Sequence, residues 1–242
     1  MRSLLIVGAH PDDETFFAAG TIAKYAEAGV RVGVVCATRG ERGATADLCS
    51  IEELPGVREQ ELRNAASILG VKDLYFFAYE DQKLLAASIQ EVRVQLVQII
   101  RETRPQIVIT FDPNGANQHP DHLAISRFAS DAIAAAADRR WYPEVGSAHT
   151  IERLLWTPPK LLFRLAPDAD LNNEPGIDFL IDVSSWREKK EAALRAYRTQ
   201  LPGLGKLFFE DPNGRRTFSQ EAFRLAWGRR PETLPAGDLF ET

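Results

Sequence analysis

The sequence predicts an α/β fold in which a mostly parallel sheet carries helices on both faces. In the first half of the chain, short apolar runs alternate with segments whose apolar residues recur at helical spacing. This alternation is typical of successive strand–helix–strand units, which build parallel sheets covered on both sides. With 242 residues, 45% of them apolar, the chain is long enough for one large core. We find no linker and no internal repeat, and therefore predict a single domain over residues 1–242.

The predicted elements are separated by residues that commonly end strands and helices. Gly29 and Gly70 follow two helical patterns, where glycine readily adopts the left-handed conformation that ends a helix. Arg104-Pro105 ends a third, because proline lacks the N–H that would continue it. We predict strands at residues 4–7, 30–37, 74–77, 106–111, 152–156, 160–165 and 179–183. We predict helices at residues 15–28, 57–69, 89–103, 123–137 and 186–198, the last capped by Ser184 or Ser185.

Other stretches show weaker periodicity. Residues 44–55 are predicted as a loop or a short helix, and residues 167–176 as a polar loop. From Gln200 onward the helical pattern is patchy, and we expect the last ten residues to be loosely packed. We expect the walls of a pocket to come from three loops, at residues 39–56, 112–118 and 141–150.

The charge, the cysteines and the missing motifs limit the class of protein. The formal net charge is −5, whereas nucleic-acid-binding proteins are usually basic, so we expect no nucleic-acid partner. No apolar run is long enough for a transmembrane segment, and no signal peptide is recognisable, so we expect a cytoplasmic protein. A reducing compartment disfavours a disulfide between Cys36 and Cys49. No G-x-G-x-x-G follows the first strand and no G-x-S-x-G is present, which argues against a dinucleotide site and a serine hydrolase. Whether the chain forms a homo-oligomer is left open.

Two short histidine–proline–acid motifs follow predicted strands. The first spans residues 10–14, His-Pro-Asp-Asp-Glu, and the second spans residues 119–122, His-Pro-Asp-His. The remaining histidine, His149, has no such neighbours, and we predict that it is structural. Open α/β sheets bind their ligands at the carboxyl ends of the strands. We therefore expect the two motifs to converge over one edge of the sheet.

The residue types in these motifs indicate a metal centre. Two imidazoles and a carboxylate are the usual ligands of a catalytic zinc, which keeps a further position for water. Zinc lowers the pKa of that water to about 7, and a spare carboxylate can act as general base. The acids could instead only stabilise a helix start, by about 0.3–1 kcal/mol each, but this does not explain why histidine–proline precedes them twice. The candidates are His10, Asp12, Asp13, Glu14, His119, Asp121 and His122.

These motifs resemble those of the PIG-L/LmbE-like deacetylase family. The family pattern has Ala-His-Pro-Asp-Asp-Glu, here residues 9–14, and a later His-Pro-Asp-His, here residues 119–122. A Thr-x-Gly-Glu-x-Gly loop is also typical and corresponds to residues 38–43. Two helical patterns give weaker support, and their matching residues are Arg58, Glu61, Leu69, Gly70, Lys190, Ala193, Leu194, Thr199 and Gln200.

The resemblance implies a Rossmann-like, LmbE-like three-layer fold, and a divalent metal, zinc or another ion such as Fe²⁺. It also implies hydrolysis of an N-acetyl group on a small-molecule conjugate of a glucosamine-type sugar. Carried over by position, the metal ligands would be His10, Asp13 and His122.

The catalytic roles are likewise implied by the resemblance. Asp12 would be the general base that activates water, and His119 would stabilise the oxyanion or protonate the leaving amine. Asp121 would orient a histidine. In the loop after the second strand, we predict that Arg42 contacts the substrate, although a solvated loop arginine is an alternative. Many relatives carry glycines just before the second motif, where this chain has residues 116–118, Ala-Asn-Gln, so the identity of the substrate stays open.

Two other functions remain as alternatives. The same metal site could hydrolyse a different N-acyl substrate, since the motifs define the chemistry and not the acyl group. Less favoured is a non-enzymatic protein that keeps the fold and uses the pocket only for binding.

Overall fold

The computed structural model describes residues 1–158 and 169–241, and these contain a seven-stranded sheet. Its strands are β1 (Ser3–Gly8), β2 (Arg31–Thr38), β3 (Asp73–Tyr79), β4 (Ile107–Phe111), β5 (Arg153–Thr157), β6 (Phe179–Asp182) and β7 (Gln220–Gly228). They lie in the order β3-β2-β1-β4-β5-β7-β6. The first five strands in this order are parallel, and β7 pairs antiparallel with both β5 and β6. The predicted α/β fold with a mostly parallel sheet is confirmed.

The longer helices among the described residues cover both faces of the sheet. They are α1 (Asp13–Glu27), α2 (Leu54–Leu69), α3 (Ile89–Thr103), α4 (Pro120–Ala137) and α5 (Arg187–Ala196). Short helical turns lie at Leu84–Ala86, Gly115–Gln118, Leu171–Asn173, Ser184–Trp186, Leu201–Gly205, Lys206–Glu210 and Pro212–Arg216. Helices α1, α2 and α5 contribute to one apolar cluster, and α3 and α4 contribute to a second. No helix in the described ranges is both long and apolar enough to cross a membrane.

Strand β1 separates these two apolar clusters. Its side chains alternate between them, because successive residues of a strand point to opposite faces. Leu4 and Ile6 belong to the cluster with α1, whereas Leu5 and Val7 belong to the cluster with α3 and α4. Since β1 pairs in parallel with both β2 and β4, the segments that follow these three strands meet at one edge. This edge holds both histidine motifs.

Helix α4 begins earlier than predicted. It starts at Pro120, whereas the helical pattern predicted a start at residue 123. Proline is favoured in the first turn of a helix, where its missing N–H is not needed. His119 is the N-cap and its side chain accepts a hydrogen bond from the Asp121 N–H. The second motif therefore forms the first turn of α4, which fixes the direction of its side chains.

The C-terminal part differs most from the prediction. Strand β7 was not predicted, because its buried and exposed residues do not alternate cleanly. The last residues are also well packed, contrary to the prediction: Leu239 is 0% exposed and Phe240 6%. The buried Arg153 contributes to this packing, since its guanidinium donates to the carbonyls of Leu239 and Glu241, and the Tyr25 hydroxyl accepts from the Leu239 N–H (2.7 Å).

Smaller differences concern single elements. Neither predicted serine caps α5: its N-cap is Trp186, without a side-chain cap, and Ser184 instead donates to Asp182 Oδ1 (2.6 Å). The strand predicted at residues 160–165 lies outside the described residues. Cys36 and Cys49 are free thiols, as expected. His149 Nε2 lies 2.7 Å from the Pro105 carbonyl oxygen, in agreement with a structural role.

The buried Arg101 on α3 holds the loop that follows α4. Its guanidinium donates to several backbone carbonyls of residues 135–146, including Trp141 O (2.8 Å) and Tyr142 O (2.7 Å). This anchors the loop against α3 and α4. Of the described residues that line the cavity at the two histidine motifs, none comes from residues 141–150, so the prediction that this loop forms a pocket wall is wrong.

We expect the Arg101→Met variant to lower the free energy of unfolding by about 2–4 kcal/mol. Methionine keeps most of the apolar stem but leaves several backbone carbonyls without their donor. Urea denaturation followed by circular dichroism measures the change. The control is Arg195→Met, because Arg195 is 53% exposed, pairs with Glu191 one turn away (2.8 Å) and lies over the Phe209 ring, and it donates to no carbonyl of residues 135–146 among the described contacts. Equal unfolding midpoints for the two variants would show that Arg101 does not anchor this loop.

Candidate active site

Asp13 is the first residue of α1, and its carboxylate is held by the backbone that precedes the helix. Oδ2 accepts hydrogen bonds from the N–H groups of Ala9 (2.7 Å) and His10 (2.8 Å). Oδ1 lies 3.3 Å from His122 Nε2. Burial would raise the pKa of Asp13, but the imidazoles of His122 and His10 outweigh burial and hold this pKa well below its usual range. Asp13 is therefore a fixed, buried anion that faces two histidines.

His122 lies in the first turn of α4, with its ring fixed from two sides. Its Nδ1 is 3.2 Å from Gly115 O, and the ring stacks on Phe111 with centroids 3.9 Å apart. A proton on Nδ1 satisfies that carbonyl and leaves the Nε2 lone pair facing Asp13 and His10. Gly115 has φ +62°, and a Cβ there would come within 2.8 Å of the Leu123 nitrogen. Glycine is thus required for the turn that orients His122.

His10 lies between the other histidines and two carboxylates. Its Nδ1 is 3.2 Å from His122 Nε2, and its Nε2 is 3.1 Å from both Asp121 Oδ2 and Asp81 Oδ1. Burial disfavours the charged imidazole, but Asp121 and Asp81 outweigh burial and raise the pKa of His10 to about 10. The Nε2–H donates toward the carboxylates, which leaves Nδ1 to face His122 and Asp13.

The Asp121 carboxylate is itself fixed by the chain that follows β3. Oδ2 accepts from the Gln82 N–H (2.6 Å) and Oδ1 accepts from the Leu84 N–H (3.0 Å). The residue is completely buried. Asp121 therefore contacts His10 and is not among the described residues that line the cavity.

Asp12 precedes α1 and is directed toward the cavity. Its backbone has φ +114°, in the left-handed region, and its side chain makes no cap hydrogen bond. One carboxylate oxygen lies 3.1 Å from Arg58 Nη2. Burial raises the pKa of Asp12 to about 6, against the opposing effect of the Arg58 guanidinium, so the group is mainly ionised at neutral pH. Asp12 is the N-cap of α1, yet its carboxylate makes no cap hydrogen bond and pairs with Arg58 instead.

Arg58 on α2 joins the loops that follow β1 and β2. Its guanidinium donates to Gly40 O (2.9 Å) and Pro11 O (2.5 Å), in addition to Asp12. Gly40 has φ +62°, and a Cβ at this position would lie 1.9 Å from Arg58 Nη1. Gly40, the first glycine of the Thr-x-Gly-Glu-x-Gly loop, therefore leaves space for Arg58, which contacts Asp12.

His119 completes the group of histidines. Its Nδ1 accepts from the Asp121 N–H (3.2 Å), and its ring centroid is 4.7 Å from that of His10 and 4.9 Å from that of His122. Burial, followed by the positive charge of His10, lowers the pKa of His119. The ring lines the cavity and is neutral at physiological pH, so its other nitrogen can donate a hydrogen bond.

The donor atoms of His10, Asp13 and His122 fit a divalent metal. The two ring nitrogens are 3.2 Å apart, and the oxygens of Asp13 lie 3.3 Å from His122 Nε2 and 3.8 Å from His10 Nδ1. Nitrogen ligands about 2.0–2.1 Å from a tetrahedral zinc are about 3.3 Å apart. Donor atoms of His10, His119 and His122 also lie within 4.8 Å of one another, so three imidazoles form an alternative ligand set.

A cavity of about 550 Å³ opens above these side chains. The loop after β2 contributes Arg42 and Gly43 to its wall, and the loop after β4 contributes Ala116 and Asn117, so two of the three predicted loops line it. Arg42, the predicted substrate contact, reaches the cavity, but its guanidinium pairs with Glu80 (2.5 Å) and its side chain is 47% exposed.

Sequence reasoning did not identify Asp81. This buried carboxylate contacts His10, and its Oδ2 accepts from the Arg42 N–H (3.0 Å). It follows β3 at the same edge as the two motifs, so the rule that located those motifs could have located Asp81. The predicted strand ended at residue 77, and the acids beyond Tyr79 were not considered as part of the edge.

Glu61 and Lys190, which match the helical patterns of the family, make contacts within the fold and not with the cavity. Glu61 accepts hydrogen bonds from the Thr199 N–H (2.8 Å) and hydroxyl (2.6 Å). The buried Lys190 pairs with Glu221 (2.7 Å) on β7. Through these contacts, α2 is fixed to the segment that contains Thr199, and α5 is fixed to β7. Both contacts therefore stabilise the fold around the site.

We expect the Asp121→Asn variant to bind metal roughly 10–100-fold more weakly, as is typical when a group that orients a metal-ligating histidine is lost. An amide cannot accept from both backbone N–H groups, so it is held less firmly, and His10 keeps only one of its two carboxylate partners, Asp81. Metal affinity is measured by competition with a chelating dye. The matched control is Asp131→Asn on the same helix, where the carboxylate pairs with Arg93 (2.5 Å) away from the site. Unchanged affinity in Asp121→Asn would contradict the orienting role.

Comparison with known proteins gives consistent matches. The family described as PIG-L, GlcNAc-PI de-N-acetylase, matches residues 5–133. A 1D-myo-inositol 2-acetamido-2-deoxy-alpha-D-glucopyranoside deacetylase from Geodermatophilus obscurus is 32% identical over 95% of this chain and 93% of its own length. A protein of the same name from Saccharomonospora viridis is 34% identical over 98% of this chain and 99% of its own. Among solved structures, N,N'-diacetylchitobiose deacetylase from Pyrococcus horikoshii is similar with a TM-score of 0.76 at 26% identity, over 93% of this chain and 83% of that one.

Proposed function

The chain belongs to the PIG-L family of GlcNAc-PI de-N-acetylases, and from this membership we propose that it hydrolyses the N-acetyl group of a glucosamine-type sugar conjugate. The relatives named above are deacetylases of acetamido sugars. The observation that carries the proposal is the convergence of His10, Asp13 and His122 beneath Asp12 and His119, at the floor of one cavity.

We propose that His10, Asp13 and His122 hold the metal, which is zinc or another divalent ion such as Fe²⁺. A divalent cation at this position supplies Lewis acidity, which lowers the pKa of a water molecule and polarises an amide carbonyl. We prefer Asp13 to His119 as the third ligand because its carboxylate is a fixed anion and faces both of the other donors. The pKa of His10, raised to about 10, means that its ring must release a proton when the metal binds.

The remaining polar side chains supply the proton transfers. We propose that Asp12, ionised at neutral pH, takes a proton from the attacking water while a C–O bond forms at the acetamide carbon. His119 donates a hydrogen bond to the developing oxyanion. The C–N bond then breaks, its electron pair stays on nitrogen, and Asp12 passes the proton that it took from water to this nitrogen to complete the amine. Asp121 orients His10, and Arg42 remains the predicted substrate contact.

Acetate release from an N-acetylglucosamine conjugate tests the proposed function. The purified protein should release acetate and free amine in equal amounts, lose this activity with a chelator, and regain it with one equivalent of zinc or Fe²⁺. A metal-loaded protein that releases no acetate but hydrolyses another N-acyl sugar would support the alternative acyl substrate. The single domain, the cytoplasmic location and the lack of a nucleic-acid partner stay predictions.

A further inference from the structure

One wall of the active-site cavity is apolar. Phe16 and Phe17 come from α1, directly after the first histidine motif, and Leu204 and Leu207 come from the helical turns that follow α5. The polar lining residues lie mainly on the floor and on the loops after β2, β3 and β4. A ligand whose acetamido group reaches the floor is therefore flanked on one side by aromatic and aliphatic side chains.

The hydrophobic core fixes this apolar wall from behind. Phe208 is completely buried, and its ring packs edge-on against Phe16 with centroids 4.7 Å apart. Phe17 packs against Phe16 at 4.5 Å and against Phe111 at 5.1 Å. Leu207 and Phe208 are neighbours in the π-helical turn Lys206–Glu210, so that Leu207 lines the cavity while Phe208 anchors the turn. The wall is a packed extension of the core.

The charges of the cavity do not suit an anionic group beside this wall. Both arginines among the described lining residues are paired: Arg42 with Glu80 (2.5 Å) and Arg58 with Asp12 (3.1 Å). The carboxylates of Asp12 and Asp81 would repel a phosphate. A neutral apolar group on the wall needs no unpaired arginine and is not repelled by the carboxylates, and its burial is favourable.

On the basis of the proposed deacetylation, we infer that the substrate carries an apolar aglycone, an alkyl or aryl group, which lies against Phe16, Phe17, Leu204 and Leu207. The cavity volume of about 550 Å³ is within the range of pockets that hold drug-sized ligands, so it has room beyond one acetamido sugar. The relatives named above are deacetylases of an inositol glycoside and of a disaccharide, in which the second ring is polar. This chain would differ from them in the aglycone and not in the bond that is broken.

Four N-acetylglucosaminides test this inference: the octyl and phenyl glycosides, the inositol glycoside and N,N'-diacetylchitobiose. For acetate release by the metal-loaded protein, we expect kcat/KM to be at least roughly tenfold higher for the octyl and phenyl glycosides, mainly through a lower KM. Equal or higher values for the two polar substrates would overturn the inference while leaving the proposed function intact. If no substrate releases acetate, the proposed function fails, and calorimetric binding of octyl against methyl glucosaminide then decides the inference without turnover.

The Leu207→Ser variant tests whether the apolar wall causes the preference for substrates with an apolar aglycone. We expect it to reduce the ratio of octyl to methyl glycoside kcat/KM by roughly tenfold, and Leu207→Met to restore most of that ratio. The control is Ile68→Ser, since Ile68 is 37% exposed near the end of α2, at the opposite edge of the sheet. An unchanged ratio in Leu207→Ser, with a normal circular dichroism spectrum, would contradict contact between the aglycone and this wall.

Discussion

The Asp12→Asn variant is expected to retain its metal and to lose kcat by about 10²–10⁴-fold, the range typical when a general base is removed. The loss follows from the position of Asp12: its carboxylate lines the cavity but is not among the donors that face the two histidines. An amide at this position cannot accept a proton from water. Metal content by mass spectrometry measures the first expectation, and acetate release measures the second.

Asparagine is preferable to alanine for this experiment. Asp12 has φ +114°, and asparagine tolerates the left-handed region better than alanine does. It also keeps an oxygen that Arg58 can donate to. The matched control is Asp73→Asn, because Asp73 pairs with Arg31 at the start of β3, far from the cavity. Wild-type turnover in Asp12→Asn would exclude Asp12 as the base, whereas loss of metal would place it among the ligands.

The two histidine motifs could be located from the sequence because their positions are set by local rules. An apolar run followed by polar ligand-type residues predicts the carboxyl end of a buried strand, and parallel strands place such ends at one edge. The order β2-β1-β4 then brings residues 10–13 and 119–122 together, although about a hundred residues separate them. The pattern could not show which nitrogen of His10 or His122 faces inward, because backbone groups and carboxylates from other loops determine it.

Contacts between distant segments are the part that the pattern could not predict. Asp81 lies at the edge that the strand pattern indicates, but no periodicity shows that its carboxylate contacts His10 (3.1 Å). Strand β7 lies between β5 and β6, and its side chains are set by those partners and not by an alternating sequence. The C-terminal residues are packed through distant partners: Arg153 donates to the carbonyls of Leu239 and Glu241, and the Tyr25 hydroxyl accepts from the Leu239 N–H. In each case the deciding partner lies far away in the sequence.

The His122→Ala variant is expected to lose both metal and activity. The loss of a group that only orients a ligand typically costs roughly 10–100-fold in metal affinity, so the loss of a ligand should cost more than about 100-fold. Asp13 and His10 would remain, but two donors leave the site without the third that a catalytic zinc requires. Dialysed protein should contain less than about a tenth of an equivalent of metal, and kcat/KM should fall with metal content.

His149→Ala is the matched control, because this histidine contacts the Pro105 carbonyl outside the active site. It should retain metal and activity, since only one structural hydrogen bond is lost. The stacking of His122 on Phe111 makes some loss of stability in His122→Ala expected, so both variants are compared by thermal unfolding in the presence of chelator. If folded His122→Ala kept a full equivalent of metal, the three imidazole and carboxylate donors that remain would hold it. His119 would then replace His122 in the ligand set.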